Sequence, residues 1–286
     1  MPELPEVETI VRDLAPRVAG RTIRRPQIHR PDTLRDVTRR ALLAGLTGRR
    51  IESLTRRAKH LVFLLDSGRR LIMQLRMTGS LLLQRGPLTA DQARYAVLTA
   101  ALGNRETLLF RDVRRLGTIH LLDEAAWKLY TGRIGAEPFD ASFDVSRFHA
   151  ILRSSTQAVK KVIRDQRKVA GVGNIYANEA LFRASIDPSR RADRVRRPAA
   201  ARLHAAVVAV LTEAIAARGT TVRDYRTGTG QRGGFQFALE VYGRGGEPCV
   251  RCGAALATTH AIDGRATTFC WRCQGAGPAP EPSRGR

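Results

Sequence analysis

The stretch Met1-Pro2-Glu3-Leu4-Pro5-Glu6 opens the chain and leads directly into a helical pattern. The apolar residues that follow have the spacing of one helix face: Val7, Ile10, Val11 and Leu14. The helix is predicted to end near Gly20, and burial of its apolar face would hold the residues before it in a fixed place. The rest of the chain is therefore expected to be organised around this stretch.

The second residue is a candidate nucleophile. A small residue such as Pro2 generally permits removal of Met1, which would leave a secondary amine as the N-terminus. An α-amino group titrates near pH ~8, so part of it is free base at neutral pH and can attack an electrophilic carbon. The product is a charged iminium, and Glu3 beside it can protonate a leaving oxygen. The alternative is that Pro2 and Pro5 only stiffen the chain and Glu6 starts a helix.

The composition is strongly basic. Lysine and arginine number 49 against 26 aspartate and glutamate, and the net charge of +23 favours a polyanionic partner, nucleic acid first. With 286 residues the chain can form two domains or one large one. It has no apolar run of membrane-spanning length and no signal-peptide pattern. The four cysteines lie near the C-terminus, so a cytoplasmic protein without disulfides is expected.

The region 49–122 is predicted to form a β-sandwich or barrel, because short apolar runs alternate there with glycine-containing turns. Asp32 or Thr33 is expected to cap a short helix before this region, ending near Leu43, and 123–130 is predicted to be helical. The predicted strands are 51–54, 61–65, 71–77, 96–102, 108–110 and 118–122.

Some residues of this region interrupt the apolar pattern. Lys59 precedes a strand, where a lysine can reach a phosphate. Met77 ends a strand at a tight turn, and Arg114 and Leu116 lie in a second turn, where side chains project from the fold. Taken singly, the alternatives are a solvated charge for Lys59 and core packing for Met77 and Leu116.

The second half of the chain has helical patterns. The glycines before Asn174 open a turn that leads into a helix, so backbone N–H groups and the Asn174 amide can bind a phosphate. Close packing is the alternative reason for such glycines. A helix over 198–218 leads into a Gly-, Thr- and Arg-rich loop over 220–235, and loops of this length are usually functional or disordered.

The C-terminal region contains a four-cysteine metal pattern, two Cys-x2-Cys pairs separated by seventeen residues. Four thiolates leave no open coordination position, so the zinc ion would be structural. Asp263-Gly264 would form the tip of a β-hairpin, and Arg265 just past the tip can reach DNA. The expected zinc ligands are Cys249, Cys252, Cys270 and Cys273.

Together these motifs resemble the formamidopyrimidine-DNA glycosylase family, bacterial base-excision repair enzymes that act on oxidised purines. The similarity covers about residues 2 to 274. It rests on Pro-Glu-Leu-Pro-Glu at 2–6, Arg-Arg-Ala-Lys at 56–59, Met-Thr-Gly-Ser at 77–80, Gly-Val-Gly-Asn-Ile-Tyr at 171–176 and the paired Cys-x2-Cys.

The resemblance implies an α+β protein: an N-terminal β-sandwich with flanking helices, then a C-terminal helical helix-two-turn-helix domain with a β-hairpin zinc finger, with DNA in the cleft between them. The expected boundaries are 1–136 for the catalytic sandwich, 137–143 for a linker, 144–241 for the helix-two-turn-helix domain with its lesion-recognition loop, 242–275 for the zinc finger and 276–286 for a disordered tail.

The resemblance also implies a bifunctional glycosylase and lyase. Pro2 would attack C1′ of a nucleotide carrying 8-oxoguanine or a formamidopyrimidine, and Glu3 would act as general acid and base. Successive β- and δ-elimination would then nick the strand. The implied cofactor is one structural zinc ion, and the expected partner is duplex DNA with oxidised bases or abasic sites, bound by a monomer without membrane association.

The remaining site residues are implied by position. The implied catalytic residues also include Lys59 and Arg265, which would contact DNA phosphates. Together with Asn174 they would bend the DNA backbone around the flipped base. The residues that would enter the duplex are Met77, Arg114 and Leu116, with Arg114 reading the orphaned cytosine. The expected base-recognition set is Glu6, Val222, Arg223, Asp224 and Tyr225.

The chain departs from the family pattern at several positions. Leu116 stands where an aromatic residue is common, and Gln74 and Arg76 replace residues that are more often His and Gly. The strand near Arg94-Tyr95 lacks the usual histidine cluster. These departures bear on lesion preference and leave the nucleophile, the acid and the zinc ligands unchanged.

Three other functions stay open at this point. An endonuclease VIII-like glycosylase for oxidised pyrimidines is disfavoured by Leu4 and by the full-length loop over 220–235. A non-catalytic damaged-DNA-binding protein would not need Pro2 and Glu3. A basic zinc-ribbon regulator would not need the roughly 240 patterned residues before the finger.

Overall fold

The computed structural model describes residues 2–103, 105–221 and 225–275. The chain forms two compact units, Met1–Arg133 with Ala214–Gln236 and Ile134–Glu213 with Phe237–Arg286. Residues 214–236 therefore group with the N-terminal part of the chain. The expected domain boundaries stay predictions, and the expected tail, 276–286, lies outside the described residues.

The first unit begins with helix α1, Leu4–Val18. Proline at the first turn suits this start, because the first N–H groups of a helix have no partner within the helix. The predicted apolar face is confirmed, since Val7, Ile10 and Leu14 are fully buried and Val11 packs against the same core. The helix thus places the residues just before it against the interior of the unit.

Strands of the first unit form two antiparallel four-stranded sheets. The described strands are β1 Arg24–Ile28, β2 Ile51–Arg57, β3 His60–Leu65, β4 Arg70–Gln74, β5 Gly79–Arg85, β6 Ala96–Gly103, β7 Glu106–Asp112 and β8 Thr118–Leu122. One sheet has the order β1-β6-β7-β5 and the other β2-β3-β4-β8. Buried Phe63 and Met73 from one sheet share a core with Val97 and Phe110 from the other, so the unit is a β-sandwich.

Three further helices belong to the first unit: α2 Arg39–Leu46, α3 Ala90–Arg94 and α4 Glu124–Thr131. The expected cap of α2 is wrong. Thr38 caps this helix by accepting a hydrogen bond from the Ala41 N–H, whereas Pro31–Thr33 forms a separate 3-10 turn. The Thr33 hydroxyl donates to the Arg30 carbonyl within that turn, so this side chain is occupied locally.

The second unit is mainly helical. Its helices are α5 Val145–Arg153, α6 Val159–Arg164, α7 Asn174–Arg183 and most of α8 Arg197–Ala216, and its hairpin strands are β9 Ala257–Thr259 and β10 Thr267–Phe269. By length and apolar composition, α8 is the one helix in the described ranges that can cross a membrane. Its Leu203, Val207 and Val210 are buried within the protein, as in the core helix of a globular domain.

A buried carboxylate holds the segment that leads into the hairpin. Glu179 on α7 is fully buried and accepts the backbone N–H groups of Glu240, Val241 and Tyr242 at 2.9, 3.0 and 2.7 Å. Burial raises the pKa of Glu179, and the three hydrogen bonds oppose that shift. The hairpin module is thereby fixed to α7.

Candidate active site

The residues of the N-terminal motif are buried at the start of α1. Pro2 is buried, and the residues Glu3 and Glu6 are only 2% and 1% exposed. They form a reciprocal capping box: the Glu3 N–H donates to Glu6 Oε2 at 2.7 Å, and the Glu3 side chain accepts the Glu6 N–H. The candidate acid is therefore held in one orientation beside Pro2 and away from bulk water.

Glu6 also connects this helix start to the long loop. Its second oxygen, Oε1, accepts the N–H of Thr220 at 2.7 Å, and the Tyr225 hydroxyl lies 3.3 Å from the Glu6 carbonyl. Arg218, at the base of the loop, donates to both carboxylate oxygens of Asp13 at 2.9 Å. Burial and the Glu6 charge raise the pKa of Tyr225, which stays protonated as a donor.

These contacts give Glu6 a positioning role that the sequence did not indicate, because its partner Thr220 lies 214 residues further along the chain. The expected base-recognition roles of Glu6 and Tyr225 stay predictions. The other expected members of that set, Val222, Arg223 and Asp224, lie outside the described residues.

Lys59 lies in the tight turn between β2 and β3. The turn bends at Ala58, whose φ of 53° is in the left-handed region. Arg56 braces it, since Nη1 donates to the Ala58 carbonyl and Nε donates to Glu8 Oε2, both at 3.0 Å. Lys59 itself is 7% exposed, so this candidate phosphate contact is partly desolvated and held by a rigid turn.

A second brace of the same turn comes from His60 and Tyr130. The His60 Nδ1 lies 3.0 Å from the Arg57 carbonyl, and Nε2 lies 3.0 Å from the Tyr130 hydroxyl. A carbonyl only accepts, so Nδ1 carries the proton and Nε2 accepts from Tyr130. Burial lowers the pKa of His60 to about 4, which keeps the ring neutral. This pair is not among the predicted site residues; its signal in the sequence is a histidine at the start of an otherwise apolar strand.

The expected duplex-entering residues lie together on two neighbouring turns. Met77 and Leu116 are 40% and 47% exposed, and Arg114 Nη1 lies 3.6 Å from the Met77 sulfur. Asp112 joins the turns, because it accepts the Thr78 hydroxyl from one and the Arg114 N–H, at 3.3 Å, from the other. The predicted strand end at Met77 is wrong, since β4 ends at Gln74 and Met77 projects from the turn beyond it.

Asn174 and the hairpin tip meet in the second unit. The Asn174 side-chain N–H donates to the Ala266 carbonyl at 2.9 Å, next to Arg265. Asn178 donates to the Asn174 carbonyl at 2.8 Å, one turn further along α7. The amide of Asn174 therefore touches the residue after Arg265, and the two expected phosphate contacts are neighbours.

A buried ion network supports the hairpin tip from α6. Asp263 accepts the Arg265 N–H at 3.1 Å and forms ion pairs with Arg164 and Lys160, the latter at 3.7 Å. The Lys160 ammonium is fully buried and donates to the Thr267 hydroxyl at 2.6 Å. Removing one member of a buried ion pair costs roughly 3–5 kcal/mol, so the network fixes the backbone at Arg265. The adjacent lysines at 160 and 161 gave no sequence signal for which one is buried.

The four cysteines form one cluster whose sulfur atoms all lie within 4.8 Å of one another. The Cys249–Cys273 and Cys252–Cys270 sulfur pairs are 3.9 and 3.5 Å apart. Tetrahedral zinc with Zn–S bonds near 2.3 Å places its sulfurs about 3.8 Å apart, whereas a disulfide needs about 2.05 Å. The thiol set therefore fits a closed, structural zinc site.

The site residues are divided between the units. Pro2, Glu3 and Lys59 belong to the first unit, as do the turns with Met77, Arg114 and Leu116. Asn174, Arg265 and the cysteine cluster belong to the second unit.

Comparison with known proteins gives consistent matches over most of the chain. The family model of the formamidopyrimidine-DNA glycosylase N-terminal domain matches residues 1–119, and that of the formamidopyrimidine-DNA glycosylase H2TH domain matches residues 134–226. The formamidopyrimidine-DNA glycosylases of Thermomicrobium roseum and Alkalilimnicola ehrlichii are each 42% identical to this chain. The alignments cover 96% of it and 99% and 100% of those proteins.

Solved structures that resemble this chain come from the same family as these relatives. A Lactococcus lactis FPG mutant in complex with Fapy-dG containing DNA superposes with a TM-score of 0.87 at 34% identity, covering 96% of this chain and 99% of that chain. The MutM (FPG) protein of Thermus thermophilus superposes with a TM-score of 0.85 at 40% identity, covering 97% and 100%. The expected α+β fold, a sandwich unit followed by helices and a cysteine hairpin, is confirmed. The chain belongs to the formamidopyrimidine-DNA glycosylase family.

Proposed function

We propose that the protein excises oxidised purines from duplex DNA and then cleaves the DNA backbone at the resulting abasic site. The observation that carries this proposal is the buried pair of Pro2 and Glu3 at the start of α1, fixed by the Glu3–Glu6 capping box. Solved relatives supply the substrate class, because they include Lactococcus lactis Fpg bound to Fapy-dG containing DNA and to abasic-site DNA.

The chemistry begins with Pro2 after removal of Met1. Its secondary amine attacks C1′ of the damaged nucleotide, and the bond from C1′ to the base breaks. Opening of the sugar ring then gives a covalent iminium, whose positive charge does not depend on protonation of the nitrogen. Glu3 supplies protons to the departing groups as a general acid and takes them back as a base. The iminium withdraws electrons from the sugar, so β- and then δ-elimination release the phosphates on both sides.

DNA is held by groups from both units. Lys59, Asn174 and Arg265 bind backbone phosphates, and the braced turns fix these groups before DNA arrives. Pre-organised donors lose little conformational entropy on binding, which helps to offset the several kcal/mol of bending the duplex and flipping the base. Met77, Arg114 and Leu116 enter the duplex and fill the space that the flipped base leaves.

The four cysteines would hold one zinc ion, which supplies folding free energy to the hairpin and takes no part in the reaction. The zinc ion would matter for DNA binding because it would hold in place the hairpin that carries Arg265. The protein acts as a monomer in the bacterial cytoplasm, where reduced thiolates are available for the metal.

A cleavage assay tests the proposed function. Duplexes that contain 8-oxoguanine opposite cytosine or thymine glycol opposite adenine are compared under single-turnover conditions. Faster cleavage of the 8-oxoguanine strand is expected. Faster cleavage of the thymine glycol strand would assign the endonuclease VIII-like activity instead, and tight binding without cleavage of either strand would assign a non-catalytic damage-binding role.

A further inference from the structure

A cavity of about 530 Å³ opens in the second unit between α5, the 3-10 turn Ala192–Arg194 and the start of α8. Its lining is dominated by arginine: Arg153, Arg190, Arg194, Arg196 and Arg197. None of these residues has a place in the proposed reaction. Five of the cavity's eight lining residues are therefore permanently positive.

This cavity has a net positive charge, because its lining has five arginines and one carboxylate. Its lining carboxylate, Asp193, already pairs with Arg191 outside the cavity, through contacts of 3.1 Å to Nε and 2.7 Å to Nη2. Two lining guanidinium groups are held by uncharged acceptors: Arg153 donates to the Asp193 carbonyl at 2.8 Å, and Arg197 donates to the Ser146 hydroxyl at 3.0 Å. These contacts orient the two arginines, and Asp193, which also attracts Arg153 and Arg194, offsets only part of the positive charge of the lining.

A second cavity of about 480 Å³ adjoins the first, because Arg190 lines both. It adds Arg272 and Gln274 of the hairpin module. Its carboxylate, Asp187, accepts the N–H and the hydroxyl of Ser189 at 2.8 and 2.7 Å. The two neighbouring cavities, which share Arg190, are together called the arginine groove, defined by Arg153, Arg190, Arg194, Arg196, Arg197 and Arg272.

The arginine groove is separate from the phosphate contacts at Asn174 and Arg265. Asn174 begins α7, whereas Ser185 of the groove lies just beyond the other end of that helix at Arg183. A helix of ten residues is roughly 15 Å long. A ligand in the groove therefore contacts a different part of the second unit from a phosphate at Asn174.

The arginine lining of the groove favours a phosphodiester chain as its ligand. Guanidinium groups bind phosphate oxygens with two parallel hydrogen bonds, and two adjoining cavities can hold successive phosphates of a strand. Acidic protein segments usually bind through apolar anchors as well, and the apolar side chain in the first cavity, Val195, is itself 1% exposed. We propose that the arginine groove is a second DNA-binding site, which holds backbone phosphates of the bound duplex outside the lesion contact.

The test measures affinity for undamaged duplexes by fluorescence anisotropy over a range of salt concentrations. The variant is Arg194→Glu with Arg196→Glu. The control is Arg39→Glu with Arg40→Glu, which makes the same change in net charge at exposed residues in the first turn of α2. For a duplex of about 30 base pairs, the groove variant is expected to bind roughly tenfold more weakly, with a salt slope smaller by about 2.

The proposal is overturned if the duplex binds the groove variant as tightly as it binds the wild type, or if the control variant loses the same affinity. It is also overturned if a poly-glutamate peptide binds the groove more tightly than DNA does, which would assign a protein partner instead. The proposal takes only its choice of polyanion from the proposed function. Because undamaged duplexes are used, failure to cleave 8-oxoguanine would disprove the proposed function and leave this result standing.

Discussion

Glu6 and Thr220 are joined by a hydrogen bond of 2.7 Å, from the Thr220 N–H to Glu6 Oε1. The other oxygen of the same carboxylate accepts the N–H of Glu3 at 2.7 Å. One buried side chain therefore connects the candidate acid to the first residues of the long loop. A displacement of the loop base would change the hydrogen bonding of the residue that carries the proton chemistry.

Glu6→Gln tests this connection. The glutamine amide keeps one acceptor but turns its NH2 group towards a backbone N–H, and a buried donor without an acceptor costs about 1–3 kcal/mol. Both the free energy of unfolding and the single-turnover rate of base excision should fall. Glu52→Gln, at an exposed position on β2, is the control for loss of a carboxylate. Wild-type excision by Glu6→Gln at unchanged stability would disprove the positioning role.

Glu3→Gln separates base excision from DNA binding. Glutamine has the size of glutamate but cannot donate a proton as an acid, and a positioned acid contributes roughly 10²–10⁴ in rate. We expect excision of 8-oxoguanine to fall by that factor while the affinity for lesion-containing duplex stays near the wild-type value. Equal excision rates for the variant and the wild type would refute the acid and base role of Glu3.

Cys249→Ser tests the link between the metal and the DNA contact. Loss of one thiolate should lower zinc content, loosen the hairpin and weaken DNA binding through Arg265. Val250→Ser changes the neighbouring residue, which is 56% exposed, and should leave both properties unchanged. Zinc content is measured by atomic absorption and affinity by anisotropy. Unchanged zinc content and affinity in Cys249→Ser would contradict the assignment.

The buried His60 predicts a pH dependence of stability. Burial lowers its pKa from 6.5 to about 4 in the folded protein, so the unfolded chain binds more protons between these values. The stabilisation is fully present above pH 6.5 and is lost as the pH falls towards 4, by up to about 3 kcal/mol.

The free energy of unfolding, measured with denaturant at pH 7 and at pH ~4.5, checks the direction of this change. Each pKa unit corresponds to about 1.4 kcal/mol, which sets the expected size. His60→Gln should lose less stability over that interval than the wild type. The variant is still expected to lose some stability at low pH because of His29 and His120, whose pKa values burial also lowers. Identical pH dependence in the two proteins would show that His60 is not the titrating group.

Local patterns in the sequence predicted much of the fold. The face of α1 and the strand at 118–122 have simple periodicity, and the structure contains both. Strand β1 was missed because Arg24, Arg25 and Pro26 do not have a strand pattern. In the described sheet β1 is the edge strand next to β6, and an edge strand tolerates proline. Strand β5, Gly79–Arg85, is not among the predicted strands because Met77-Thr78-Gly79 has the composition of a turn that ends the preceding apolar run.

Candidate site residues could be named from the sequence where the chemistry depends on residue type and spacing, as for the cysteines, which the structure brings together, and the N-terminal motif, whose roles stay predictions. It was not predictable where a contact joins distant segments. The Glu6–Thr220 bond, the His60–Tyr130 pair and the Asp263–Lys160 pair each connect residues at least 70 positions apart. Such contacts follow from the packing of whole elements and leave no local pattern in the chain.

The central claim is that the imino group of Pro2 becomes covalently bonded to the deoxyribose. Borohydride reduction during turnover of an 8-oxoguanine duplex, followed by peptide mass spectrometry, tests it most directly. The adduct is expected on a peptide that begins with Pro2 and lacks Met1, and Pro2→Gly should form much less of it. An adduct on a lysine, or fully active enzyme that retains Met1, would contradict the account.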